Sequence, residues 1–98
     1  MTINKTVDGS AVTMALAGRL DTSTAPQLEA ELKQTLPGMQ KLVLDFQELD
    51  YISSAGLRVL LSAQKTMNKQ GEMILQHVNE TVREVFEITG FSDILTLA

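Results

Sequence analysis

Residues 42–61 read LVLDFQELDYISSAGLRVLL, and the way this run divides decides the fold. Leu42-Val43-Leu44 is a short continuous apolar run, typical of a strand covered on both faces. From Leu57 the pattern changes. Leu57, Leu60, Leu61 and Met67, with Val59 and Ala63 beside them, form a wide apolar face at helical spacing. Arg58, Ser62, Lys65 and Lys69 share the opposite side, and Gly71 stops the helix. Between strand and helix lies a junction, read here as a loop, from Asp45 to Gly56. Loops at the carboxyl ends of strands carry function in open α/β sheets.

Upstream, Ile3, Lys5 and Val7 alternate with polar residues, Asp8-Gly9 is a turn dipeptide, and Val12, Met14 and Leu16 alternate again. Residues 2 to 17 thus predict a β-hairpin. Gly18-Arg19-Leu20-Asp21 closes its second strand and leads into Thr22-Ser23-Thr24, a second strand-to-helix junction. Thr24 and Gln27 have capping-box spacing, and Pro26 falls in the first turn of the helix that follows. Ala25, Leu28, Leu32 and Leu36 make its apolar stripe, which Pro37-Gly38 ends. Downstream, Met73-Ile74-Leu75 predicts another buried strand. Val82, Val85 and Phe86 predict a third helix ending at Gly90, with Phe91 folding back on Phe86, and Ile94 to Leu97 predicts a short final edge strand. The order is ββαβαβα with a last β: an α/β domain with a mixed, mostly parallel sheet flanked by helices, in one unit over residues 1–98. The two junctions should be neighbours on one edge.

Composition narrows the function. The chain has 98 residues, no cysteine and a net charge of −4 without a basic cluster, which argues against disulfide scaffolds, thiolate metal sites and nucleic-acid binding. No apolar run approaches the ~20 residues of a spanning helix, so no membrane insertion is expected, and the absence of a visible secretory signal points to the cytoplasm. No Gly-x-x-x-x-Gly-Lys run cradles phosphates, and Asp45, Glu48 and Asp50 lack EF-hand spacing and read as solvated loop residues. No cofactor is expected. The five methionines are scattered and read as core filler.

Three readings of Ser53-Ser54 remain: a helix cap, a nucleophile, or a place where another protein writes a signal. A nucleophilic serine needs a base, and the single histidine, His77, sits at the end of a predicted strand, where it reads as a solvated residue. Ser-Ser-Ala-Gly also departs from the Gly-x-Ser-x-Gly elbow, which disfavours a small hydrolase. As a cap, Ser54 would accept from the N–H of Gly56 or Leu57. A cap leaves Gly56 unexplained, since glycine costs about 1 kcal/mol relative to alanine inside a helix. A small Ala55-Gly56 pair instead leaves the hydroxyl open to a visitor.

Gly18-Arg19-Leu20-Asp21, a helix, and then the 42–61 block resemble STAS-domain proteins of the anti-sigma factor antagonist type, from the first strand to Phe91. The resemblance implies a small bacterial protein with no catalytic activity of its own. Its partner would be a serine-kinase anti-sigma factor, which carries the ATP. Unphosphorylated antagonist binds that partner and frees a sigma factor; phosphorylation on one serine switches binding off, and a metal-dependent serine phosphatase resets it. Aligned on Gly56, the phosphoacceptor falls on Ser54, with Ser53 the second choice, and Asp21 matches the acidic residue of the neighbouring loop. The best-known members carry aspartate where Ser53 stands here. The implied partner surface is Asp21, Thr22, Ser23, Ser53, Ser54, Ala55, Gly56 and Arg58. Arg58 would be within reach of a phosphate on Ser54, although an ordinary solvated arginine is the simpler reading. The alternative role is that of an unphosphorylated STAS subunit in a stress-sensing or membrane-transport complex.

Overall fold

The structure, a computed structural model, describes residues 1–98. Its elements are β1 (Thr2–Asp8), β2 (Ala11–Leu20), α1 (Ala25–Thr35), β3 (Lys41–Ile52), α2 (Ser54–Asn68), β4 (Glu72–Gln76) and α3 (Glu80–Thr89), followed by a 3-10 turn over Phe91–Asp93. This is the α/β order read from the sequence up to α3. The sheet runs β1-β2-β3-β4, with β1 antiparallel to β2 and the other pairs parallel. In the β1–β2 hairpin Asp8 pairs with Ala11, so the two-residue turn is Gly9-Ser10, with Gly9 at a φ of 61° that glycine adopts without strain.

The helices cover one face of this sheet. Val12, Met14, Leu16, Leu42, Leu44, Phe46, Met73 and Leu75 point to that face and join residues of all three helices in a single cluster of 23 buried side chains. Alternation turns Ala11, Thr13, Ala15 and Ala17 of β2 to the other side, where they stay half-exposed. Val43 also lies outside the cluster, shielded to 8% exposure. β3 is therefore not covered on both faces by helices. An apolar run is equally compatible with one buried face and one close-set sheet surface.

The larger departure is the length of β3. Residues 45–52, read as loop, continue the strand alongside Ala15–Leu20 of β2. Ala15 pairs with Asp45 but Ala17 with Glu48, and Gly18 pairs with Leu49 but Arg19 with Tyr51, so β3 takes an extra residue twice. Each bulge shifts the side-chain parity by one. Phe46, Leu49 and Ile52 are all buried as a result, at a spacing of three that imitates neither a regular strand nor a stripe long enough for a helix.

α3 is held against this bulged strand. Asn79 accepts from Val82 N–H at 2.8 Å as its N-cap and donates through Nδ2 to the Leu49 carbonyl at 2.8 Å. The Phe86 ring lies 6.4 Å from that of Phe46, inclined at 45°. Gly90, at φ 81°, ends the helix. The final edge strand is not formed. Leu97 makes one parallel bridge to Leu75, flanked by hydrogen bonds from Leu75 N–H to Thr96 and from Ala98 N–H to Leu75, while the 3-10 turn takes up the chain before it. Gly71 lets the end of α2 pass over the Gln40 backbone, where a Cβ would meet the Gln40 carbonyl.

Phe46 is fully buried and joins β3 to α3, so Phe46→Ala should lower unfolding free energy by about 3–5 kcal/mol. The midpoint and slope of urea denaturation measure this loss.

Candidate functional site

The two strand-to-helix junctions meet at one edge. Leu20 pairs with Ile52, and Ser53 N–H donates to the Leu20 carbonyl at 2.9 Å. The β2–α1 loop and the start of α2 are thus side by side, as the sequence predicted.

The first junction is organised by Asp21. Its Oδ1 accepts from Ser23 N–H at 3.0 Å, Ser23 Oγ at 2.8 Å and Thr24 N–H at 3.2 Å. Its carbonyl accepts from Ala25 N–H at 2.8 Å, which starts α1. The capping box expected from Thr24 and Gln27 is absent. Thr24 Oγ1 turns back to accept from Asp21 N–H at 2.9 Å and to donate to the Arg19 carbonyl at 2.8 Å, while Gln27 reaches the Met1 carbonyl at 3.2 Å. The aspartate already serves the loop amides, so the threonine is used to brace the turn instead. The Ser23 hydroxyl is the largest contributor holding the Asp21 carboxyl below its usual value; desolvation opposes it, and the Thr24 and Ser23 amides and the Thr24 hydroxyl together keep the balance on the lowered side.

At the second junction the helix starts one residue earlier than expected, so the cap position read for Ser54 falls to Ser53. Ser53 occupies the N-cap position, in extended backbone, and its carbonyl accepts from Leu57 N–H at 3.0 Å. Ser54 is the first helical residue and is exposed. The Ser54 hydroxyl is therefore not the cap. The Ser53 hydroxyl makes no cap bond either: its Oγ is buried and has no hydrogen-bond partner. Of the two residues Ser54 is exposed, whereas Ser53 is half-buried with its hydroxyl oxygen out of reach of solvent.

Gly56 also has a different purpose from the one expected. It is buried against the strand ends, and a Cβ there would stand 2.7 Å from Leu20 Cγ and 2.8 Å from Ile52 Cγ1. The glycine permits close approach of α2 to β2 and β3; it does not clear space for a visitor.

Thr22 and Ser23 are exposed, Ala55 is half-buried, and Arg58 is exposed one turn into α2. Thr22, Ala55 and Arg58 line a shallow depression of about 210 Å³ between the starts of the two helices. Two residues of this edge escaped the sequence reading. Arg19 and Tyr51 are register partners, the guanidinium lies 4.3 Å from the ring centroid, and Arg19 Nε is 3.7 Å from Asp21 Oδ2. The available signal was parity: Leu20 and Ile52 point inward, so the residues before them point out.

His77 is removed from this edge. It has a φ of 56°, and its Nδ1 is 2.9 Å from Asp45 Oδ1, which also accepts from Gln47 N–H at 3.0 Å. Partial burial raises the Asp45 pKa, but the His77 and Gln47 bonds outweigh it and leave the pKa lowered. Asp45 is thus a half-buried strand residue and not a solvated loop carboxylate. Six strand residues lie between it and Ile52, a span of roughly 20 Å at the rise of a strand. His77 cannot serve Ser54 as a base.

A single model of the STAS domain matches residues 2–98. The chain belongs to the STAS domain family. It is 46% identical over its full length to BtrV of Bordetella bronchiseptica, assigned as an anti-sigma factor antagonist, and spans 84% of that protein. It is 33% identical to the anti-sigma-B factor antagonist of Listeria monocytogenes, over 92% of this chain and 81% of that one. Within the STAS family it is therefore an anti-sigma factor antagonist by homology. Its fold matches that of the anti-sigma factor antagonist SpoIIAA in unphosphorylated form, with a TM-score of 0.78 at 21% identity, over 99% of this chain and 87% of that one. SpoIIAA in phosphorylated form matches as well, with a TM-score of 0.77 at 22% identity, over 99% and 91% of the two chains.

In this STAS domain Gly56→Ala should destabilise by about 1–2 kcal/mol, because crowding of Leu20 and Ile52 exceeds the gain in helix propensity. Chemical denaturation decides the sign. The lowered Asp21 pKa stabilises the loop fully above the usual carboxyl value of 3.8, and that support is lost as pH falls through the folded value. Amide chemical shifts of Ser23 and Thr24 should therefore titrate with a midpoint below 3.8 and stay flat in Asp21→Asn.

Proposed function

We propose that this chain binds a serine-kinase anti-sigma factor when unphosphorylated, so freeing a sigma factor, and is switched off by phosphorylation of Ser54. The supporting observation is the contrast at the second junction: Ser54 is exposed at the first turn of α2, while the neighbouring Ser53 hydroxyl is buried. Transfer of the γ-phosphoryl group of the kinase's ATP to Ser54 Oγ would release ADP and place about −1.5 to −2 charges at a helix N-terminus. That end of α2 holds no acidic residue. Its free N–H groups and dipole favour an anion, so the fold tolerates the change. The likeness to SpoIIAA in both forms agrees with this.

The effect of the phosphate then falls on the partner surface, through repulsion and the cost of burying a dianion. That surface comprises Asp21, Thr22 and Ser23, the start of α2 from Ser53 to Ala55, Arg58, and the Arg19–Tyr51 pair; Gly56, expected to belong to it, is buried beneath against Leu20 and Ile52. A metal-dependent serine phosphatase would restore the binding form. The chain has no catalytic role of its own, and the cytoplasm is where these partners act.

Affinity capture from the native cell, with phosphosite mapping of the bait, should recover an anti-sigma factor and phosphate on Ser54. With the purified kinase, Ser54→Ala should keep binding and accept no phosphate, Ser54→Asp should bind at least about ten-fold more weakly, and Ser53→Ala should still be phosphorylated. Wild-type phosphorylation of Ser54→Ala would sink the assignment. Recovery of a transporter subunit, with no phosphoserine in any growth state, would favour the constitutive STAS subunit.

A further inference from the structure

The helix that begins at Ser54 carries cations and no carboxylates. Arg58, Lys65 and Lys69 are exposed, and none of them joins an ion pair. By contrast Lys5, Arg19, Lys33 and Lys41 each meet a carboxylate, and Arg83 on α3 is the one other Lys or Arg outside an ion pair. At 3.6 residues per turn the three free cations and Ser62 fall within roughly 60° of one another, as one stripe along α2. In a chain of net charge −4 this stripe is a local reversal of sign.

Beside the stripe runs a groove between α1 and α2, of about 410 Å³, with Leu32, Leu36, Val59 and Ala63 in its floor and Ser62 and Thr66 at its mouth. Glu29 and Val59 line both this groove and the depression next to Ser54, so the two make one trough that starts at the candidate switch. Glu29 is paired with Lys33 at 3.5 Å and leaves the α1 wall without net charge.

We propose that the trough docks an acidic amphipathic helix of the same protein partner that contacts Ser54. Apolar side chains of that helix, spaced three and four apart, fill the floor, and carboxylates on its flank meet Arg58, Lys65 and Lys69. The recessed apolar floor selects this occupant. A nucleic acid has no apolar side chains to insert and would meet a net negative chain, and a flat lipid surface cannot enter a trough between two helices. The inference rests on the proposed function for the partner's identity and adds a second attachment point, away from the phosphate. It also places the cations along the length of the partner contact, where they accelerate encounter.

The test is calorimetric titration of the full chain against the captured anti-sigma factor at two salt concentrations. Two variants alter exposed positions only: the double substitution Lys65→Gln with Lys69→Gln, and Thr66→Trp at the mouth, each checked by circular dichroism and thermal melting. Lys41→Gln, on β3 away from the trough, is the control. Both test variants should raise Kd about ten-fold, the double variant should also lose much of the salt dependence, and the control should bind as wild type. If both bind as wild type while Ser54→Asp still weakens binding, the trough proposal is wrong and the switch stands. If the trough variants weaken binding and Ser54→Asp does not, docking stands and the switch falls. Absence of any wild-type binding overturns both. Unchanged kinase affinity, with binding to duplex DNA or to phosphatidylserine vesicles that the double variant loses, overturns it in favour of a polyanion site.

Discussion

The contact of Gly56 with Leu20 and Ile52 governs the candidate functional edge of this molecule. Three elements converge there with no room for a methyl group: the end of β2, the end of β3 and the first turn of α2. Close packing at this point brings the two strand-to-helix junctions together. It sets the start of α2 beside the end of β2 and leaves Ser54 exposed, with the Ser53 hydroxyl oxygen buried. Without it, the serine and the aspartate loop would be separate features of an ordinary α/β domain.

The bulged end of β3 makes that convergence possible. Two extra residues, absorbed against a continuous β2, rotate the strand's inward side so that Phe46, Leu49 and Ile52 all reach the core. The same rotation turns Tyr51 outward beneath Arg19. A bulge costs ladder hydrogen bonds, and here the loss is offset by burial of three large side chains and by the Asn79 bond to the Leu49 carbonyl. The surface around Ser54 is thus built on rigid elements. That suits the proposed role of a binding module, because a phosphate on Ser54 would change charge without changing shape.

The charge pattern follows the same division of labour. The Asp21 carboxylate is used up inside its own loop, where it orders Ser23 and Thr24. It therefore contributes shape more than free charge to the edge. The cations of α2 have no such internal partners, so they are available to a visitor along the whole helix.

Much of this protein is legible in its residues alone. Periodicity located the hairpin, the three helices and the order of the elements, because amphipathic faces must match one buried surface. The 42–61 block and the Gly18–Asp21 turn carried the family resemblance. Local rules misassigned the details wherever distant residues competed for the same hydrogen bonds: Thr24 gave up its cap to brace Asp21, and residues 45–52 became strand because β2 lay alongside to pair with them. Gly56 looked like cleared space, since nothing in a linear reading shows Leu20 and Ile52 arriving beside it. The composition and spacing of the chain determined which elements form and in what order. Tertiary packing decided which serine faces solvent, because burial is set by contacts between segments about thirty residues apart.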